Sequence, residues 1–524
     1  MNLFNCGLNH SSPLLVSLFH FFFPIFYLKT IFVPPVLGFP SKMERSIILV
    51  FLSLLLLFFN HCSFLHVHSS GITLRRPNEH VRFNLIHRHS PELGEDPGTT
   101  LGPPSSQRER IKQLMHGDNA RLHTISQRIG PRRKNVEVMM ATTYKINLVE
   151  LPMRSAADIG TGQYFVSFRV GSPPKKFIMI ADTGSSLTWM KCKYKCKNCS
   201  RERTILDERI FQANKSRTFK PIPCSSDVCK IDLFRSFSLA HCPTPMAPCG
   251  YDYRYADGTR VVGIFGNDTV KVRLSGGEKI KVTDVMVGCS ETIRGNFHDI
   301  DGVMGLGFDR YSFAVKAAKQ FGHKFSYCLV DHLSPSNLVN FLVFGEVSIS
   351  PLPNMQHTEL ILGIINPYYA VNVSGISVDG KMLDIPSDVW DVRGDGGVIM
   401  DSGASLTFLV KPVFDKVIAA FQAPLSKFEK LELNLGPDYC FSDAGFKESM
   451  IPKLAIHFAD GAKLAPPVKS YVIDADDGVK CLGFASTGWP GTTVIGNILQ
   501  QNHLWEFDLK NSKLGFAPSS CTFH

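Results

Sequence analysis

The chain has no tandem repeats and no proline-rich tracts, which argues against a repetitive structural glycoprotein. It carries no nucleic-acid-binding motif. A net charge of +10 invites an anionic partner, yet residues 1–150 hold 16 Lys and Arg against 9 Asp and Glu, or +7, which leaves +3 for all the rest. The basic excess belongs to the front end, and nucleic acid is not expected as a partner. No apolar span or anchor signal follows Cys521, so no stable membrane anchor is expected. The apolar share of 44% is ordinary for a globular protein, and 524 residues suffice for two or more domains.

Residues 1–70 read as an N-terminal extension with a signal peptide. Met43-Glu44-Arg45 followed by the apolar 47–59 has the charged start and short apolar core of a secretory signal. That core is too short to span a bilayer comfortably. Pro24, Lys29, Pro34 and Pro35 break the earlier apolar stretch, and Met43 is the preferred initiator. Of the 14 cysteines, Cys6 and Cys62 lie in this front end. The others are Cys192, Cys196, Cys199, Cys224, Cys229, Cys242, Cys249, Cys289, Cys328, Cys440, Cys481 and Cys521. An even number behind a signal peptide reads as a disulfide framework. Cys192, Cys196 and Cys199 have a zinc-like spacing, but in a secreted chain disulfides are favoured, and no metal or cofactor is expected.

Two short stretches repeat one message. Ala181-Asp182-Thr183-Gly184-Ser185-Ser186-Leu187-Thr188-Trp189 follows the apolar run Phe177-Ile178-Met179-Ile180. Met400-Asp401-Ser402-Gly403-Ala404-Ser405-Leu406-Thr407-Phe408 follows Gly397-Val398-Ile399-Met400. Each apolar run reads as a strand buried on both faces. Each strand then ends in an aspartate, a hydroxyl residue and glycine. A carboxylate is rarely buried unless paired or functional, so two in matching settings suggest that they meet. The remaining pattern is mostly β: Tyr164, Val166, Phe168 and Val170 alternate, and Gly171-Ser172-Pro173-Pro174 turns the chain. Helices are expected only over Ser312–Phe321, Lys411–Phe421, Ile498–Asn502 and, in a polar form, Gln107–Arg128, with Ile111, Leu114, Leu122 and Ile125 spaced along one side.

From about Gly160 to the end, the sequence resembles the pepsin-like aspartic proteases. Their two lobes each give one such loop, and each loop is supported by an apolar pair before glycine, here Val303-Met304-Gly305 and Val494-Ile495-Gly496. The resemblance implies a mainly-β bilobal fold with a cleft between the lobes, an N-terminal lobe over 156–345 and a C-terminal lobe over 346–524. It implies an aspartic-type endopeptidase with Asp182 and Asp401 as the catalytic pair. Two carboxylates about 3 Å apart cannot both ionise cheaply, so they share a proton and divide base and acid duty around one water. Thr183 and Ser402 would lock the loops together, Gly184 and Gly403 would admit backbone N–H groups, and Ser185 would donate to Asp182. Tyr255, on a hairpin turned by Asp257-Gly258, matches the flap tyrosine, and Trp189 would brace it. Two positions depart from the usual pattern: Ala404, where a hydroxyl residue is common, and Ala256, where glycine is usual.

Seven cysteines crowd the insertion from Cys192 to Cys249, and this looks like the nepenthesin-type plant enzymes. The likeness implies the pairs Cys192–Cys196, Cys199–Cys289, Cys224–Cys249, Cys229–Cys242, Cys328–Cys521 and Cys440–Cys481. The 83–91 stretch, FNLIHRHSP, resembles the propeptide signature of plant secreted aspartic proteases. A propeptide is therefore expected over 71–155, covering the cleft as an intramolecular inhibitor and cleaved within Met139–Thr161. Asn198, Asn214, Asn267 and Asn372 open glycosylation triplets. The expected protein is a monomeric, secreted zymogen of the apoplast or vacuole that acts on proteins or peptides at acid pH. The alternative is a catalytically silent binding protein on the same fold, an inhibitor of microbial cell-wall hydrolases. Such relatives usually lose one catalytic aspartate or its loop, and both are present here.

Overall fold

A computed structural model describes residues 81–87, 106–112 and single positions from 114 to 125. It then describes 164–521 apart from 195–208, 238–239, 255–259, 275–276, 295–300, 331–339, 346–353 and 434–436. The expected signal segment, the processing region, Tyr255, Gly258, Cys196, Cys199 and Asn198 lie outside the described residues. The described residues all belong to one compact unit, 76–524.

The first strand, β1 (Val81–His87), comes from the expected propeptide. Val81, Phe83, Leu85 and His87 point inward in strict alternation, the period of a strand with one buried face. The N-terminal lobe continues through β2 (Tyr164–Val170), β3 (Lys175–Asp182), β4 (Trp189–Lys193), β5 (Gly250–Arg254), β6 (Arg260–Arg273), β7 (Lys279–Arg294) and β8 (Gly302–Gly305). The helix α1 (Phe313–Gln320) and the strands β9 (Lys324–Cys328) and β10 (Asn340–Phe344) complete it. Between β2 and β3 the expected turn is made, and Gly171 has a φ of 92°, a conformation that glycine adopts without strain. The hydroxyl of Ser312 caps α1 by accepting from the Val315 N–H at 3.2 Å.

The C-terminal lobe repeats the plan with β11 (Tyr369–Val371), β12 (Val398–Met400), β13 (Thr407–Val410), α2 (Lys411–Leu425), β14 (Phe484–Thr487), β15 (Thr493–Ile495), α3 (Asn497–Gln500), β16 (His503–Asp508) and β17 (Lys513–Pro518). Helix α2 runs one turn past its expected end. Val413, Phe414, Val417, Phe421 and Leu425 form one buried stripe, and packing of that stripe carries the helix through Pro424.

A shared sheet joins the lobes in the order β2, β1, β10, β9, β16, β17. Strand β1 is thus interior, with partners on both sides. Phe83 reaches from it into the lobe core, its ring 6.1 Å from those of Phe313 and Phe344. Burying such a ring is worth about 1.5–3 kcal/mol, so β1 is built into the core and not merely laid on it.

The disulfides correct the family expectation in three places. Cys192 bonds to Cys289, with Cα atoms 5.0 Å apart, and not to Cys196, so Cys289 is not the partner of Cys199. Strand β4 runs parallel to β7 with Met190 opposite Cys289, and Cys192, two residues beyond Met190, shares its face and is the cysteine of β4 nearest to Cys289 along the strand. Cys224 bonds to Cys242 and Cys229 to Cys249, in place of Cys224–Cys249 and Cys229–Cys242. These four cysteines share one small cluster, in which the Cys229 and Cys242 sulfurs are 3.3 Å apart, so partner choice rests on local packing. Cys328–Cys521 and Cys440–Cys481 are present as expected.

Candidate active site

Each half of the site is a strand that ends in aspartate, with a second strand threaded beneath its loop. Strand β8 lies between β3 and β4 and places Gly305 beside Asp182. Strand β15 lies between β12 and β13 and places Ile495 beside Met400. This threading explains the apolar-apolar-Gly pattern. A Cβ on Gly305 would stand 2.3 Å from the Ser186 carbonyl oxygen, and one on Gly496 would stand 2.0 Å from that of Leu406. Only glycine lets the supporting strand pass so close.

The two loops are tied across the lobes. The Ser402 N–H donates to the Thr183 hydroxyl at 2.9 Å, and the Thr183 N–H donates to the Ser402 hydroxyl at 3.2 Å. Asp182 and Asp401 are both fully buried. The Gly184 N–H donates to Asp182 Oδ1 at 3.0 Å and the Gly403 N–H to Asp401 Oδ1 at 2.9 Å. The Ser185 hydroxyl donates to Asp182 Oδ2 at 2.5 Å. Ala404 holds the matching place in the second loop and gives no such bond. Asn497 steadies that loop instead: its side-chain amide donates to the Ser402 carbonyl at 3.0 Å and its N–H to the Ala404 carbonyl at 2.7 Å.

The sequence did not single out the third member of the site. Residues 107–112, 114, 115, 118, 121, 122 and 125 are helical, and Ile111, Leu114, Met115 and Ile125 share an apolar cluster with Ile365, Tyr368, Leu406, Ile473 and Ile498. This helix delivers Arg121 to both carboxylates. Its Nη2 donates to Asp182 Oδ1 at 2.6 Å and also to Asp401 Oδ1, and its Nε donates to Asp401 Oδ2. The guanidinium lies against Gly184 and Gly403, where a Cβ would stand 2.1 and 2.5 Å from its atoms. Arg121 is 4% exposed, so the ion pair is dry. On the same helix, Asp118 accepts from the N–H groups of Ser405 at 2.8 Å and Leu406 at 2.6 Å.

Charge is divided unequally over the pair. Burial pushes Asp182 up, but the Arg121 charge, with bonds from Arg121, Ser185 and Gly184, outweighs it and holds Asp182 below the usual carboxylate range. Burial raises Asp401, and the negative charge of Asp182 adds to that; Arg121 and the Gly403 N–H offset it only in part. The two titrate as a unit, with Asp401 the first to take a proton.

Trp189 is buried in a cluster with Phe165, Tyr251 and Phe265. Of the glycosylation asparagines, Asn214 and Asn372 are exposed. Asn267 is half-buried in β6, paired with Lys220 on one side and Met286 on the other. Among the described residues, no helix is long and apolar enough to cross a membrane.

These two lobes, the threaded loops and the buried aspartate pair define the pepsin-like aspartic protease fold. Residues 164–346 match the family model "Xylanase inhibitor N-terminal" and residues 368–518 match "Xylanase inhibitor C-terminal". Aspartyl protease family protein 2 from Arabidopsis thaliana is 34% identical over 372 residues, 70% of this chain and 73% of that protein. Aspartic proteinase nepenthesin-1 from Nepenthes gracilis is 30% identical over 69% of this chain and 79% of its own. The solved structure of basic 7S globulin from soybean superimposes with a TM-score of 0.55 at 19% identity, over 70% of this chain and 94% of that one, a likeness of fold. The chain belongs to the nepenthesin-type family of pepsin-like aspartic proteases.

Proposed function

We propose that this chain is a secreted aspartic-type endopeptidase made as a zymogen, which hydrolyses peptide bonds at acid pH with a water held between Asp182 and Asp401. The observation that supports this most is the dyad itself: two buried carboxylates on cross-locked loops, each with a backbone donor, both spanned by Arg121. In the zymogen Arg121 takes the place that the water and the scissile carbonyl would need. Once the helix leaves, the pair shares one proton; the ionised carboxylate draws a proton from water, while the protonated one donates to the carbonyl oxygen. The substrates are proteins or peptides, no cofactor takes part, and the enzyme works as a monomer along the secretory route, in the apoplast or vacuole.

A second reading follows from the matches to xylanase-inhibitor models: a binding protein with no turnover. The complete dyad favours the first reading. A pepstatin-sensitive peptidase assay on the acid-activated protein separates the two. Asp182→Asn and Asp401→Asn should each abolish turnover while leaving secretion intact, since an amide cannot serve as base or acid. Turnover near wild type in either variant refutes the dyad assignment, and no turnover by the wild type from pH 2 to 7 favours the binding protein.

A further inference from the structure

The cysteine-rich insertion keeps an apolar face in water. Its π-helical stretch, Val228–Leu233, runs on into an α-helical turn, Phe234–Phe237. Cys229, Leu233 and Phe237 recur every fourth residue and are buried, in one cluster with Trp189, Tyr251 and Phe265. The Phe237 ring lies 5.5 Å from that of Phe265, and the Cys229–Cys249 bond pins the start of the helix. With that inner stripe seated on the core, the opposite side of a surface helix is expected to be polar. Here it is not: Ile231 is 44% exposed and Phe234, three residues on, is 53% exposed. Met246, 91% exposed, stands between Cys242 and Cys249, which are bonded to Cys224 and Cys229. Of five large apolar side chains exposed among the described residues, these three lie in the insertion.

The charges beside them are of one sign. Lys230 precedes Ile231 and Arg235 follows Phe234; both are exposed, and neither is in an ion pair among the described residues. The acid between them is taken, since Asp232 pairs with Arg310 and accepts from the Tyr311 hydroxyl at 2.7 Å. Asp227 is exposed at the head of the helix, outside the Lys230–Arg235 stretch. We propose that this face docks the N-terminal lobe reversibly on an anionic lipid bilayer, with Ile231 and Phe234 entering the acyl boundary and Lys230 and Arg235 meeting headgroup phosphates. The area argues against a protein partner. Even with Met246 counted, the exposed apolar side chains offer roughly 400 Å², against about 800 Å² per partner in a stable interface. A bilayer needs no matching surface, only an apolar wedge with a basic fringe. So few groups give weak binding, which makes the contact a reversible one.

The test uses the secreted protein and co-sedimentation with vesicles at low salt. The vesicles are phosphatidylcholine alone, or phosphatidylcholine with about 30% phosphatidylserine. Wild type should bind the mixed vesicles about tenfold tighter or more than the double variant Ile231→Ser with Phe234→Ser. Lys230→Gln with Arg235→Gln should lose about tenfold on the mixed vesicles and little on phosphatidylcholine alone. The basic front end is the same in wild type and the serine variant, so that comparison reads the patch. All four side chains are exposed, so the variants should unfold at the wild-type temperature, which a thermal scan checks. Phe234→Trp should keep binding and add emission that shifts to the blue on mixed vesicles, as insertion requires. Equal binding by wild type and the serine variant overturns the proposal, and so does equal binding of wild type to the two kinds of vesicle. Failure of wild type to bind the mixed vesicles also overturns it; self-association lost in the serine variant would then make the face a contact between copies of the chain.

Discussion

Arg121→Gln should convert a latent protein into one that is active without acid treatment. In the structure the guanidinium is 4% exposed and meets two carboxylates that are themselves buried. Taking one partner from such a cluster leaves uncompensated charge in a dry site, at a cost of about 3–5 kcal/mol. At about 1.4 kcal/mol per tenfold, the docked helix should lose roughly two to three and a half decades in population against the open state. Glutamine keeps much of the side-chain volume, so packing loss contributes little. The pH dependence follows from the two carboxylates. Asp182 is held low in the docked state, so its contribution to docking is complete above its ordinary pKa of 3.8 and is lost as pH falls through the lowered value. Asp401 is raised, so the docked state takes up that proton without releasing the helix. The second proton, on Asp182, breaks the pair, and wild-type release should therefore begin below pH 3.8. The assay follows cleavage of a quenched peptide by freshly purified full-length protein, from pH 3 to 7, with and without a prior acid step. Wild type should need the acid step to work at pH 5; Arg121→Gln should not. Equal latency in the two proteins would refute the reasoning.

Ala404→Ser should move the upper limb of the kcat/KM profile toward acid by about one pH unit, because a hydroxyl placed as Ser185 is would stabilise the Asp401 carboxylate with a charge-assisted bond; no movement, or an alkaline one, removes Ala404 as a determinant of working pH. Non-reducing peptide mapping should find Cys192–Cys289, Cys224–Cys242 and Cys229–Cys249; recovery of Cys224–Cys249 or Cys192–Cys196 would restore the family pairing.

The aspartate loops were legible because their signal is local and doubled. A buried strand, an aspartate, a hydroxyl and glycine lie within a few residues, and each support glycine has a steric reason that acts between near neighbours in the fold. The disulfides of the insertion were not legible. Four cysteines gather within bonding reach, and a sequence carries no record of which sulfur faces which. Tyr255 lies outside the described residues.

The helix that carries Arg121 falls between these cases. The spacing of Ile111, Leu114, Leu122 and Ile125 marks a helix with an apolar side. Asp118 and Arg121 fall within that same stripe, one turn apart, with Ile125 one turn further. A charge inside an apolar stripe is costly unless the surface that receives the stripe supplies its partner. Opposite charges at i and i+3 could satisfy each other on a solvated helix, and that bland alternative hides them. Arg108 shows the contrast: half exposed, it bonds Asp476 at 2.6 Å at the rim, where such a pair is worth little. What the sequence could not say was the destination. Only the fold brings Arg121 to two carboxylates separated by 219 residues, and only the fold points two consecutive N–H groups at Asp118. The stripe identifies which residues must find partners; the assembled cleft decides that the partners are the aspartate pair and the loop beside it.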